Sequence, residues 1–373
     1  MTRSSEVDRP AWLVLREGRT PRWGGEIRRH HIFTRLAERT RATLLEDGWS
    51  DRGIRRATLG AVAARMPLVL GRHMQAGPRP RFAASEKLRE STLAAAIALT
   101  DPTVVAVYDD PIAQAAAVGL RLDPRWQSRL EARQRKNVDA FRWQVAPTRS
   151  FAELAGLDLG RVIIGGNGTN TSAIRPGPWP DEPTVGIVSA AAPGRGLELL
   201  MTAVELAREE VPGLRLVMWL VATTDEATAY LGRLSAMAAN DSLTEVTTAA
   251  YADLGRELAR ASVMCIAHPP NDYMDVALPV KLFDSLAAGR PLVVTPRTET
   301  LKIVKEHGVG IVANGDKAED LATAIVALIG DEGELRRMGA RARHAAETTF
   351  DWSVVGDRIA DEILRREQPA SAP

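Results

Sequence analysis

Short runs of consecutive apolar residues recur along this chain, and most are followed by a stretch whose apolar positions repeat every three to four residues. Residues 11–15 read as a strand, followed by a loop through Gly24 and Gly25 and a periodic helix over residues 26–39. Residues 41–45 form a second strand, residues 54–65 and 86–99 have helical spacing, and residues 103–108 form a buried strand that opens into Asp109, Asp110 and Pro111. Residues 142–146 and 161–164 continue the series. Strands that are apolar throughout belong to parallel sheets covered by helices on both faces, so the first half reads as doubly wound α/β. The Pro-rich residues 174–183 break regular structure and read as an interdomain linker. Beyond them the alternation restarts, with strands at 184–188, 214–218, 263–267 and 292–295 and helices between.

Composition narrows the picture. A chain of 373 residues, 45% hydrophobic and 25% charged, buries two ordinary globular cores. Its single cysteine, Cys265, allows no intrachain disulfide and sits in an apolar run, as in the core of a reduced, cytosolic protein. No window approaches about 18 uninterrupted apolar residues and the first ten residues lack an apolar stretch, so neither a membrane span nor a secretion signal is expected.

The net charge of +1 conceals an asymmetry. Residues 1–150 hold 27 Lys and Arg against 16 Asp and Glu, a net +11; the remainder holds 21 against 31, a net −10. Basic clusters include Arg28, Arg29, His30 and His31, then Arg52, Arg55 and Arg56, then Arg133 to Lys136. Such a field attracts an anionic acceptor or an anionic membrane surface, on which residues 52–72 can lie as an interfacial helix. Nucleic acid is not expected, because the second half is acidic and no nucleic-acid motif is present.

Candidate chemistry concentrates in residues 278–295. Lys281 and Asp284 lie three apart where a helix begins, and Gly289 and Pro291 end that helix. The pair reads either as a solvated intrahelical ion pair or as a site. In the second case the helix N-terminus takes a phosphate, Lys281 supplies a point charge and Asp284 accepts hydrogen bonds from sugar hydroxyls. Asp109 and Asp110 end a buried strand at the edge where doubly wound sheets place catalytic groups, and either can serve as general base; Asp110 also fits an N-cap for a helix beginning at Pro111.

The segment around Lys281 resembles the signature of GT-B nucleotide-sugar glycosyltransferases, a P-x-K-x-x-E helix followed by A-x-G-x-P-V-V. Asp284 stands where the family has Glu, and Val276 where many relatives carry a second Glu, with Asp275 one residue out of register. Residues 165–176 are similar to the N-G-x-D passage before the second domain, with Asn170 in place of Asp. Residues 189–200 resemble the G-R-x-x-x-x-K-G passage, with Arg195 replacing the Lys and Ser189 and Ala190 where the upstream Arg stands. Residues 320–325, 334–339 and 350–352 match the carboxy-terminal helices.

The resemblance implies two doubly wound, Rossmann-like domains facing a central cleft: residues 1–175 for the acceptor, joined by a carboxy-terminal helix over 353–373, and residues 176–352 for the donor. It implies an enzyme that moves a sugar from a nucleoside-diphosphate sugar to a hydroxyl acceptor, in polysaccharide, glycolipid or glycoconjugate synthesis. The acceptor is anionic or lipid-linked on this reading, and the protein is cytoplasmic, resting peripherally on the membrane. Gly24, Gly25, Arg195, Lys281 and Asp284 then hold the donor, Tyr251 lies near the nucleotide base, and His268 ends a strand either facing the cleft or capped within the core. No metal and no cofactor are expected, since two cations can neutralise a diphosphate. The rival readings are an epimerase or hydrolase of the same fold that consumes donor alone, and a degenerate, non-catalytic nucleotide-sugar-binding protein.

Overall fold

The computed structural model describes residues 12–17, 24–40, 43–47, 81–85, 105–107 and 124–367. The helices expected at 54–65 and 86–99, the interfacial helix expected at 52–72, and Asp109 and Asp110 lie outside the described residues. The chain divides into two compact units, passing from the first to the second after Gly166 and returning to the first at Ser353.

In the first unit, strands β1 (Trp12–Glu17), β2 (Thr43–Asp47), β3 (Arg81–Ser85), β4 (Val105–Val107), β5 (Trp143–Ala146) and β6 (Val162–Ile164) form one sheet in the order β2-β1-β3-β4-β5-β6. Every neighbouring pair is parallel. Helix α1 (Gly24–Thr40) follows β1, α2 (Pro124–Asp139) precedes β5, and α3 (Arg149–Leu154) precedes β6. The last helix of the chain, Trp352–Glu367, packs into this unit: Arg35 grips Asp357 through two 2.8 Å hydrogen bonds, and Trp143 Nε1 donates to Glu367 Oε1 at 2.6 Å.

The second unit carries β7 (Thr184–Ala190), β8 (Arg215–Val221), β9 (Thr244–Thr247), β10 (Val263–Ile266), β11 (Leu292–Val294) and β12 (Gly310–Val312) in the order β12-β11-β10-β7-β8-β9. All pairs are parallel, and the strand order reverses between β7 and β10. Alternate residues of each strand enter opposite layers, as the pleat requires. Val263 and Cys265 face a core built with Leu197, Leu200 and Ile325, while Met264 and Ile266 face one built with Leu258, Leu282 and Phe283. The half that faces both layers is therefore apolar at every position, which is why β10 was visible in the sequence.

Three strands were not. Strands β9 and β12 close the two edges of their sheet and are half-buried at every residue, so they carry no continuous apolar run. Strand β3 is central, but Ala and Ser fill most of it, so it too lacks a run of large apolar residues. The Pro-rich residues 174–183 are not a free linker either. Prolines remove N–H donors and leave carbonyls to be satisfied, and Arg290, 1% exposed, does so: its Nη2 donates to Gly177 O at 3.1 Å, Pro178 O at 2.6 Å and Ala259 O at 2.9 Å. The same guanidinium lies 4.4 Å from the centroid of the Trp179 ring. Replacing Arg290 with Met keeps the apolar stem and strips three part-buried carbonyls of this donor, which is expected to cost about 3 kcal/mol. Thermal unfolding should show a fall of roughly 6 °C or more.

Candidate functional site

A doubly wound sheet binds ligands at the carboxyl ends of its strands, where the strand order reverses. In the second unit that point lies between β7 and β10, and both strands deliver a polar residue there. After β7 the chain turns through Gly194 (φ 75°), Arg195 and Gly196 (φ 73°) into helix α4 (Leu197–Ala207). A Cβ on Gly196 would lie 1.6 Å from the Ala267 carbonyl oxygen, so only glycine fits and the turn closes directly onto the backbone leading to His268. This contact seats Arg195 beside His268, and the two interact electrostatically. Across from them helix α5 (Val280–Ala287) starts after Pro279, with Lys281 in its first turn. No side chain caps the first turn of either helix, the kind of N-terminus that suits an anion.

The electrostatics of this cluster are unusual for a folded interior. His268 is 1% exposed and neither ring nitrogen has a hydrogen-bond partner. Burial, then Lys281, Arg195 and Arg297, hold its pKa well below the ordinary histidine value, so the ring is neutral and offers one donor and one acceptor. Burial, with Arg195 adding to it, pushes the Lys281 ammonium down to about 7. Cys265 lies behind it, its thiol pushed up to about 12 by burial. Among the described residues neither Arg195 nor Lys281 makes an ion pair, and Arg195 Nε is buried without a partner. Arg297 shows the contrast: its guanidinium bridges Asp275, at 2.8 Å, and Asp316. The cluster therefore holds two adjacent cations that make no ion pair among the described residues, a neutral histidine and two helix N-termini that no side chain caps.

Asp284 does not pair with Lys281, so the intrahelical ion pair is absent. It is 4% exposed, and its Oδ1 accepts a 2.8 Å hydrogen bond from Thr169 Oγ1. Burial pushes its carboxyl up to about 7, against the opposing effect of the Thr169 bond. Tyr251 opens a 3-10 turn, Tyr251–Asp253, and its hydroxyl is buried without a partner. Burial and the nearby Asp284 charge raise the phenol above its ordinary pKa. The residue 165–170 passage reaches the start of α5 through Asn167, whose side-chain amide donates to the Leu278 carbonyl. Asn170 turns inward on its own loop instead, accepting from Ser172 and Ala173.

The structure thus brings Arg195, His268 and Lys281 together, and Asp284, Tyr251 and Thr169 together, all in the second unit. Gly24 and Gly25 are not a loop: they form the first turn of α1 in the first unit. Asp109 and Asp110 lie outside the described residues. His268 is buried at the end of its strand but is not capped by any of the described residues, none of which reaches its ring nitrogens. Thr169 was missed in the sequence, since its partner is 115 residues away. Asp275, noted only for its register, serves Arg297. Among the described residues no group of three or more His, Cys, Asp or Glu is placed to hold a metal ion, and no helix is long and apolar enough to cross a membrane.

Residues 182–331 match the family model of glycosyl transferases group 1. D-inositol 3-phosphate glycosyltransferase of Nocardia farcinica is 26% identical over 239 residues, 57% of this chain; the match spans 49% of that relative's length. Sucrose-phosphate synthase from Thermosynechococcus elongatus superimposes with a TM-score of 0.71 at 12% identity, covering 96% of this chain and 99% of its own. HepE from Anabaena, in complex with UDP and glucose, gives 0.68 at 15% identity, covering 95% and 99%. The chain has the α/β fold of the GT-B glycosyltransferases, and the segment that carries Arg195, Tyr251, His268, Lys281 and Asp284 lies within the residues that match the glycosyl transferases group 1 model.

Proposed function

We propose that the chain transfers a glycosyl group from a nucleoside-diphosphate sugar to a hydroxyl acceptor. The observation that carries this reading is the juxtaposition of Arg195 and Lys281, two cations without carboxylate partners among the described residues, at two helix N-termini that no side chain caps. As the bond from the anomeric carbon to the phosphate oxygen breaks, its electron pair moves onto the diphosphate, and charge grows where these groups point. The acceptor oxygen bonds to the anomeric carbon and its proton passes to a base, a role for which Asp109 or Asp110 is the candidate. Asp284 and Tyr251 receive sugar hydroxyls and the base region of the nucleotide, while His268 donates to or accepts from the donor near the diphosphate. Gly24 and Gly25 offer helix N–H groups to the donor or acceptor. The two cations do the electrostatic work on this reading, without a metal.

The acceptor is anionic or lipid-linked, drawn by the net +11 of residues 1–150. The name of the Nocardia relative, with inositol 3-phosphate in it, supports a phosphorylated acceptor, and the UDP held by HepE makes UDP-sugars the first donors to try. Peripheral attachment to an anionic membrane surface belongs to the same reading, and salt-sensitive flotation with anionic vesicles tests it.

The test of the reaction is release of nucleoside diphosphate from UDP-glucose and other nucleotide sugars, with and without polyol phosphates and lipid extracts. Release that depends on an acceptor is the expected result. Release at full rate from donor alone identifies a hydrolase or epimerase, and binding without release identifies a non-catalytic protein.

A further inference from the structure

The place of Asp284 in a motif that elsewhere carries glutamate raises a question of reach. An aspartate is one methylene shorter, and this one is buried with a carboxyl that burial favours in its neutral form. A neutral carboxyl would donate where the site needs an acceptor. One residue counters both problems. Thr169 is fully buried, and its backbone is fixed on both sides: its N–H donates to Phe350 O at 2.9 Å and its carbonyl accepts from Trp352 N at 2.9 Å. A β-branched side chain has few χ1 rotamers, and on this backbone the one adopted carries the hydroxyl to Asp284. Its hydroxyl therefore approaches Asp284 Oδ1 from a fixed position, at 2.8 Å.

We propose that Thr169 is a positioning residue for this site: its hydroxyl holds one oxygen of Asp284, so that the other oxygen and the unpartnered Tyr251 hydroxyl are presented together to a pair of ligand hydroxyls. The proposal rests on the reading that the site takes a nucleotide sugar. Because the Thr169 hydrogen bond goes to the ionised carboxylate, it also keeps Asp284 charged near neutral pH. Loss of that bond moves the Asp284 titration to higher pH by about one pH unit. Affinity that needs the carboxylate then falls most at and below neutrality and recovers as pH rises.

Calorimetric titration from pH 6 to 9 with UDP, GDP, ADP, CDP and dTDP on wild type, Thr169→Val and Thr169→Ser tests this. The valine variant preserves shape and backbone bonds, and is expected to bind several-fold more weakly than wild type at pH 7, with the ratio closing toward one at pH 9. The serine variant restores the hydroxyl and is expected to stay within about twofold of wild type throughout. Thr169→Ala carries the same expectation as valine and stands in for it if the valine variant does not fold. A deficit constant across pH, or equal in the serine and valine variants, is what a packing role gives and overturns the proposal. Equal binding by wild type and valine variant overturns it while leaving the nucleotide reading intact. No binding by wild type overturns that reading and the proposal with it.

Discussion

Replacing Lys281 with Met is expected to lower glycosyl transfer about 10²- to 10³-fold, the loss seen when one preorganised charge-stabilising group is removed from a reacting site. The same variant is expected to unfold no more easily than wild type at neutral pH, and that combination separates a functional cation from a structural one. The sign follows from the titration. Lys281 in the folded protein has a pKa of about 7, below the ordinary 10.5, so the unfolded chain binds more protons between those values. Wild-type stability therefore rises with pH from about 7 to about 10.5, as the charge that burial penalises is released. The Met variant lacks this contribution. Thermal melts at pH 7 and pH 9.5 should show a smaller gap between variant and wild type at the higher pH.

The second large effect lies one turn away. Gly196→Ala is expected to destabilise the second unit by about 3–5 kcal/mol, the range reserved for mutations with a named severe mechanism. Two causes act together: a φ of 73° is disfavoured for any residue with a Cβ, and that Cβ would sit 1.6 Å from backbone oxygen, which no rotamer change relieves. The backbone must move, and the contact that seats Arg195 beside His268 moves with it. Gly194→Ala is the control. It has a similar φ of 75° but nothing within 4 Å of its Cβ position, so only the conformational cost of about 1–2 kcal/mol applies and nucleotide binding persists. Thermal unfolding and nucleotide titration of both variants check this pair.

The parallel sheets were legible because strands such as β10 and β11 face two cores and are apolar at every position. The half-exposed edge strands β9 and β12 lack that signature, and β3 is too rich in small and polar residues to show it. The motif around Lys281 was legible as well, but its internal geometry was not. Spacing puts Lys281 and Asp284 on one helical face and suggests an ion pair, whereas the fold turns Asp284 to Thr169 and leaves Lys281 with Arg195. Local spacing cannot reveal a partner 115 residues distant. Nor does it distinguish a bare histidine from a capped one: the state of His268 depends on which neighbours the turn at Gly196 brings to it. The Pro-rich passage misled for a related reason, since the group that holds it, Arg290, is contributed by a different part of the chain.

The central claim is that Arg195 and Lys281 form a diphosphate receptor. It is tested most directly by titrating nucleoside diphosphates and the corresponding nucleosides at pH 8, in two buffers with different heats of ionisation. Lys281 is mostly neutral at that pH in the free protein, and must be charged to hold the ligand, so binding should take up close to one proton. The account predicts that one diphosphate binds far more tightly than its nucleoside, with proton uptake that disappears in Lys281→Met. A diphosphate that binds no better than its nucleoside, with no proton exchanged, would contradict it.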